Sequence, residues 1–316
     1  MGKGIVLAAD LGGTNLRMAA VDCNGTILYR TRRETSRGKR ADEIVRQIVE
    51  SAAECRANCD DSYHVRGICA AIPGTIDFGE SIITFAPNLP ALNNFKMGET
   101  LENELGIKAI LENDANAAAL GENWCGASKG YASSILVTLG TGVGGGIIID
   151  GRIVRGADAM AGEIGHICVE AFGTVCRCGS RGCLEQYSSA SAIVRIAEDL
   201  AEQYSASNLK YINSLTASDI YEAGMNGDEL ALEVFRQMGF YLGVALSSLI
   251  NILNPEIIVI GGGASAGWNL FMPHTQETMR QRAFGSISKN VVTVRGELGD
   301  NAGLLGAARL VFDSFQ

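Results

Sequence analysis

Proline is scarce in this chain, 5 residues in 316, while glycine reaches 39. Nothing resembles a low-complexity linker, and the excess of glycine over proline points to tight turns between strands and helices. A block of positive charge is also missing. The densest basic stretch, Arg30, Arg32, Arg33, Arg37, Lys39 and Arg40, is interrupted by Glu34, and the formal net charge is −9. Nucleic acid is therefore not an expected partner, and the stretch reads as solvated surface. No secretory leader is expected, because the apolar run in MGKGIVLAADLGGTN is short and passes straight into a glycine turn. No run has the character of a membrane span. The most apolar segment, MGFYLGVALSSLINILNP, is interrupted by Ser247, Ser248 and Asn251 and stopped by Pro255, so it reads as a buried helix. The expected location is cytoplasmic. The nine cysteines are then not a disulfide framework. Cys23, Cys55, Cys59, Cys69, Cys125 and Cys168 are scattered and read as ordinary free thiols.

What is present is strands and helices in alternation, which makes the chain α/β. Its length fits two domains and its composition, 47% apolar and 19% charged, can build a large core. Short apolar runs predict strands at 4–10, 16–22, 25–34, 65–74, 133–140, 146–151, 256–263 and 291–295. Helical spacing predicts helices starting near Asp42, over 228–253, over 269–282 and at the end of the chain. A strand, a glycine and threonine turn and a returning strand occur twice, at DLGGTNLRMAAVD and TLGTGVGGGIIID. Two copies predict two lobes of similar plan. Glycine hairpins of this kind can present backbone N–H groups to the phosphates of a nucleotide.

Three stretches carry candidate chemistry. The first is Asp10-Leu-Gly12-Gly13-Thr14-Asn15. It lacks the ending of a Walker A loop and the helix that a GxGxxG fingerprint requires. Alone it reads as a β-turn; together with TLGTGVGGG and IGGG it points to phosphate contact, with Asp10 placed to hold hydrated Mg²⁺. The second is Glu112-Asn113-Asp114, where a strand passes into an alanine-rich helix. Asp114 reads either as a helix cap or as a base that orients a hydroxyl and takes its proton. The third is Glu163-Ile-Gly-His166 followed by CRCGSRGCLE at 176–185. Of three histidines, His64 and His274 read as surface or cap residues. His166 with Cys176, Cys178 and Cys183 offers the four donors of a closed zinc site, and the single residue between Cys176 and Cys178 excludes a redox CxxC. Glu163 and Glu185 flank this segment, either as solvated surface or as acceptors for the hydroxyls of a neutral polyol.

Together these residues resemble the ROK family (repressors, open reading frames and kinases) of sugar kinases. The similarity runs from DLGGTN to the final helix. The family's CxCGxxGCxE stands complete as CRCGSRGCLE, its ExGH stands as EIGH, and the continuation EQYSSASAI is most similar to the glucokinase branch. The resemblance implies a two-lobed actin-like ATPase fold, a duplicated ribonuclease H-like plan with a cleft. A smaller lobe of 1–113 plus about 300–316 would carry ATP-phosphate contacts and one sugar wall; 114–299 would carry the sugar, zinc and adenosine sites. Asp114 would be the catalytic base. Asn113, Glu163, His166 and Glu185 would hold the sugar, with Gly74 and Asn88 on the opposite wall. ATP phosphates would meet Gly12, Gly13, Thr14, Asn15, Gly140, Thr141, Gly142 and Gly144, and Gly261, Gly262 and Gly263 would border the adenosine. Zinc would be structural.

The implied reaction is ATP-dependent phosphorylation of a hexose at its 6-hydroxyl, with glucose the leading substrate. The family glucokinases often follow PNLP with Gly-Trp where this chain has Ala91-Leu92, so N-acetylmannosamine, N-acetylglucosamine and fructose stay as alternatives. A non-catalytic sugar sensor is the alternative of another class, and a filament former ranks last. With the hairpin beginning at residue 4, the helix-turn-helix of the repressor members is not expected. A homo-oligomer, dimer or tetramer, is expected from the family's habit.

Overall fold

Strict alternation of side chains organises the N-terminal sheet. The computed structural model describes residues 3–36, 40–285 and 290–314; Arg37 and Lys39 of the basic stretch lie outside the described residues. Strands β1 (Lys3–Leu11), β2 (Asn15–Asp22) and β3 (Ile27–Glu34) form an antiparallel meander. Helix α1 (Ala41–Ala57) leads to β4 (Tyr63–Ile72), which runs parallel to β1. A small hairpin, β5 (Thr75–Asp77) and β6 (Ile82–Phe85), precedes α2 (Met97–Leu105) and β7 (Ala109–Asn113). The sheet order is β3-β2-β1-β4-β7.

Along β1 successive residues face opposite ways. Ile5, Leu7, Ala9 and Leu11 join a core with Ile44, Val45 and Ile48 of α1 and Met97 and Leu101 of α2. Val6 and Ala8 join the other core, filled by Leu304, Leu305, Ala308 and Val311 of the final helix.

Helix α3 (Asp114–Cys125) follows β7 without a loop, and β8 (Ser134–Leu139), β9 (Val143–Ile149) and β10 (Arg152–Ile153) come next. Helices α4 (Glu185–Ser188), α5 (Ala190–Leu200), α6 (Ala217–Met225) and α7 (Glu229–Leu253) follow. The chain closes with β11 (Ile257–Gly261), α8 (Trp268–Arg282), β12 (Val292–Arg295) and α9 (Ala302–Ser314). The second sheet has the order β10-β9-β8-β11-β12, with β11 parallel to β8 and β12. Two hairpin strands followed by parallel neighbours thus occur twice, as the repeated glycine hairpins predict.

The chain divides into two units. One comprises 1–132, 146–162 and 297–316; the other comprises 133–145 and 163–296. The division expected at 113/114 lies elsewhere, because α3 packs along α9. A Cβ added to Gly121 would strike the carbonyl of Ala302, and one added to Gly306 would strike the carbonyl of Ala117. Backbone contact this close ties α3 to the first unit.

The apolar segment expected as a buried helix is α7. Asp228 caps its start, accepting from Ala231 N at 3.0 Å. Asn254 ends it in the left-handed conformation before Pro255. Among the described residues no helix is long and apolar enough to cross a membrane. His64 lies within β4 and His274 within α8, both exposed.

Gly306→Ala should test the helix contact. Overpacking of this kind costs about 1–3 kcal/mol, so thermal unfolding should move to a lower temperature, whereas alanine at Gly263, which has open space around it and no left-handed backbone, makes no such collision.

Candidate functional site

The turn after β1 is held by its own backbone. Gly12 N donates to Asn15 O at 2.8 Å, and Thr35 N donates to Thr14 O at 2.8 Å. Thr35 Oγ1 donates to Gly12 O at 2.8 Å, and Arg32 donates to Asn15 Oδ1 at 3.1 Å. A Cβ on Gly13 would lie 3.0 Å from the Cβ of Asn88. Glycine therefore lets DLGGTN lie against APNLP. Asp10, one residue before the end of β1, receives Arg17 Nη1 at 3.1 Å, while Arg17 also reaches Asp300 at 3.0 Å. Burial pushes the Asp10 carboxyl above the usual carboxylate range, and the Arg17 guanidinium opposes that shift only in part. Magnesium is usually held through one or two carboxylates together with waters and substrate phosphates, and Asp10 is the carboxylate beside this turn that could take that role.

At the β7–α3 junction the cap is Asn113, not Asp114. Asn113 Oδ1 accepts from Ala115 N at 3.0 Å and Asn116 N at 3.1 Å, and its Nδ2 donates to Gly74 O at 3.2 Å. Both ends of the amide are used, which joins the helix start to the IPGTID turn. Asp114 becomes the first residue of the helix, with Oδ1 accepting from Ala115 N at 2.8 Å. A carboxylate is favoured at this end of a helix.

Beneath the junction lies a charge that sequence reasoning did not single out. The side chain of Glu112 is wholly buried. Its Oε2 receives Arg155 Nε at 3.0 Å and Nη2 at 2.6 Å, and its Oε1 receives Asn113 N at 2.9 Å and Asn116 Nδ2 at 3.1 Å. Arg155 also stacks over Phe78, 4.9 Å from the ring centre. Both Arg155 hydrogen bonds end on one oxygen, and charge-assisted bonds of this kind are stronger than neutral ones. The available signal was a glutamate closing the apolar strand IKAIL.

In the second unit the turn after β8 is bound to α5. Ala190 N donates to Gly140 O at 2.8 Å and Ser191 Oγ to Thr141 O at 2.9 Å. Glu185 Oε2 accepts from Val143 N at 3.0 Å, and a side chain at Gly142 would collide with that carboxylate. Glu185 thus braces the glycine turn. Gly262 has φ +82° and lies against the backbone of Leu139, so only glycine fits there.

The four donors predicted from the sequence come together. Ligand atoms of His166, Cys176, Cys178 and Cys183 all lie within 4.8 Å of one another. His166 Nδ1 is 3.8 Å from Cys176 Sγ, and Cys178 Sγ is 3.6 Å from Cys183 Sγ. A tetrahedral zinc with bonds of about 2.3 Å to sulfur needs ligand separations of about 3.8 Å, so the donor set fits that ion. The imidazole's Nε2 faces Glu163 Oε2 at 3.8 Å. Burial, with the neighbouring thiols, pushes Cys183 up to about 12, while the backbone N–H of Ser180 first, then Cys176, hold Cys178 below its ordinary value. A buried thiol raised this far needs a cation to release its proton. Gln186 donates to Cys176 Sγ at 3.6 Å, a supporting contact the spacing did not reveal.

The candidates divide between the units. Asp10, Gly12, Gly13, Thr14, Asn15, Gly74, Asn88, Asn113 and Asp114 belong to the first. The second carries Gly140, Thr141, Gly142, Gly144, Glu163, His166, the three cysteines, Glu185 and Gly261–Gly263.

A duplicated α/β plan with a glycine hairpin in each half defines a class, the two-lobed actin-like ATPase fold of sugar kinases. A ROK family glucokinase from Streptomyces griseus, solved in complex with glucose and AMPPNP, matches with a TM-score of 0.82 at 33% identity, over 98% of this chain and all of that one. A ROK family transcriptional regulator, a homologue of the E. coli Mlc protein, matches at 0.87 with 27% identity, over 99% of this chain and 78% of that one. The glucokinase of Thermotoga maritima is 34% identical over 310 residues, 97% of this chain and 96% of its own length. The ROK family model matches residues 6–314, and the chain belongs to the ROK family.

Arg155→Met leaves Glu112 buried without its guanidinium. Removing one partner of a buried pair costs about 3–5 kcal/mol, so denaturant midpoints should fall sharply. The double variant Arg155→Met, Glu112→Gln should recover part of that loss, as a double-mutant cycle would record.

Proposed function

We propose that the protein is an ATP-dependent hexose kinase that transfers the γ-phosphoryl group to the 6-hydroxyl of glucose. The observation that carries this reading is the agreement of a glucokinase likeness over 97% of the chain with a carboxylate set at a strand-to-helix junction by an asparagine cap. Asp114 is the proposed base. Its hydrogen bond from Ala115 N and the cap beside it fix where the carboxylate points. It orients the sugar hydroxyl and accepts its proton. A carboxylate is a weak base toward an alcohol, so the proton moves late, as the oxygen bonds to phosphorus. The remaining catalysis is positioning and charge neutralisation of the phosphoryl group. Magnesium accompanying ATP supplies positive charge at the phosphates when bound. On the protein's side, the backbones of DLGGTN and GTGVGG hold the donor phosphates, with Asp10 directed to the metal.

Glu163, His166, Glu185, Asn113, Gly74 and Asn88 are the proposed sugar contacts. The two nitrogens of His166 support this division of labour. Nδ1 faces the thiols and Nε2 faces away toward Glu163, so the ring can serve a metal and a hydroxyl at once. Zinc on the His166 and cysteine set is structural, because four protein donors leave no open position. Its role would be to fix the segment that carries both His166 and Glu185.

A sugar-sensing reading has one observation of its own, the close match to a ROK family transcriptional regulator over nearly the whole chain. A coupled assay of ADP release with a sugar panel separates the two. Glucose should raise the rate far above ATP alone; sugar binding with no sugar-dependent ADP release would assign the chain to sensing. Asp114→Asn should lower kcat by about a thousandfold, within the usual range for a general base, and leave glucose binding by calorimetry nearly unchanged. Elemental analysis should find about one zinc per chain for the four-donor site, and Cys178→Ser should lose it.

A further inference from the structure

We propose that Cys168 and Cys183 form a cross-strand oxidation site, in which a hydroperoxide joins the two sulfurs and withdraws Cys183 from the four-donor set. The metal-release part of this inference rests on the zinc reading above; the disulfide does not. Cys168 and Cys183 are partners in an isolated antiparallel bridge. Val169 N donates to Gly182 O at 2.8 Å and Leu184 N donates to Ile167 O at 2.9 Å. These bonds flank the cysteines, so the two residues form a non-hydrogen-bonded pair, the closer of the two antiparallel arrangements. Such pairs have Cα atoms about 4.5 Å apart and side chains on one face. That separation lies inside the window of about 4.4–6.8 Å that a disulfide spans.

The two thiols differ in access. Cys183 is fully buried, while Cys168 is exposed. Cys183 Sγ already lies 3.6 Å from Cys178 Sγ in the donor cluster, whereas Cys168 is outside the group of four. A reagent from solvent therefore meets Cys168 first, and the buried sulfur opposite it resolves the product.

The chemistry balances with a hydroperoxide as two-electron oxidant. The Cys168 sulfur attacks the outer oxygen, the O–O bond breaks, and one molecule of alcohol or water leaves with the Cys168 S–OH formed. The Cys183 sulfur then attacks the Cys168 sulfur. The S–O bond breaks, and hydroxide leaves as water with a proton taken from the Cys183 thiol in the metal-free chain, or from solvent where Cys183 is already a metal-bound thiolate. Reduction by a dithiol reverses the linkage. Oxidation would act at both ends of the segment, because His166 stands two residues before Cys168 and Glu185 two residues after Cys183.

The test uses the full chain as purified, treated with stoichiometric hydrogen peroxide, and cut with trypsin and a glutamyl endopeptidase. Mass spectrometry should find IGHICVE joined to GCLE, restored to separate peptides by dithiothreitol. A chromophoric chelator should record metal leaving wild-type protein at least about tenfold faster than Cys168→Ser, since that variant lacks the sulfur that is oxidised first. Linkage of GCLE to the Cys178 peptide CGSR instead, or equal metal release from wild type and Cys168→Ser, would overturn the proposal. A chain free of zinc would sink only the metal reading, and the mapped linkage would still decide the oxidation site.

Discussion

A carboxylate removed from water organises the junction on which the catalytic proposal depends. Glu112 has no exposure, and a bare charge there would be far too costly to keep. Arg155 neutralises it through two hydrogen bonds to one oxygen, while the other oxygen holds the Asn113 N–H and the Asn116 amide. The end of β7 and the first turn of α3 are thereby fixed relative to the segment after β10. Asn113 can then spend its whole amide on the helix start and on Gly74, and Asp114 inherits a defined direction. The chemistry is proposed for Asp114, but the rigidity comes from its neighbours.

The second organising constraint is the approach of backbone to backbone. Gly121 and Gly306 let α3 and α9 touch through their main chains; Gly262 does the same against β8. Gly142 leaves space for the Glu185 carboxylate over the turn after β8, and Gly165 lets the EIGH element lie on Val143. The cysteine segment holds its two ends, His166 and Glu185, near that same turn. Glycine abundance thus has particular addresses, and several of them fall at the phosphate and sugar candidates.

Much of the fold was legible because periodicity reports burial directly. The unbroken apolar run in GIVLAAD became a strand with a different core on each face, and the glycine hairpins became the opening strands of two sheets with the same order. The short hairpin 75–85 and α2 were not foreseen, since such brief, half-exposed segments carry too little pattern. The domain boundary was misplaced because the packing of α3 on α9 joins residues far apart in sequence, and only small side chains mark it. That His166, Cys176, Cys178 and Cys183 would come together was legible from residue type and spacing, since soft ligands in a tight cluster have few other uses. Asn113 as the cap was hidden behind an equally plausible Asp114. Arg155 was hidden because its partner lies on another element, and Cys168 because its relation to Cys183 arises only when the loop folds back.

The central claim is the transfer of a phosphoryl group to a sugar's 6-hydroxyl. Nuclear magnetic resonance of the products formed from ATP and glucose tests it most directly. Glucose 6-phosphate should form in equal amount to ADP. Inorganic phosphate as the only phosphorus product beside ADP, or phosphate carried on any other hydroxyl, would contradict it.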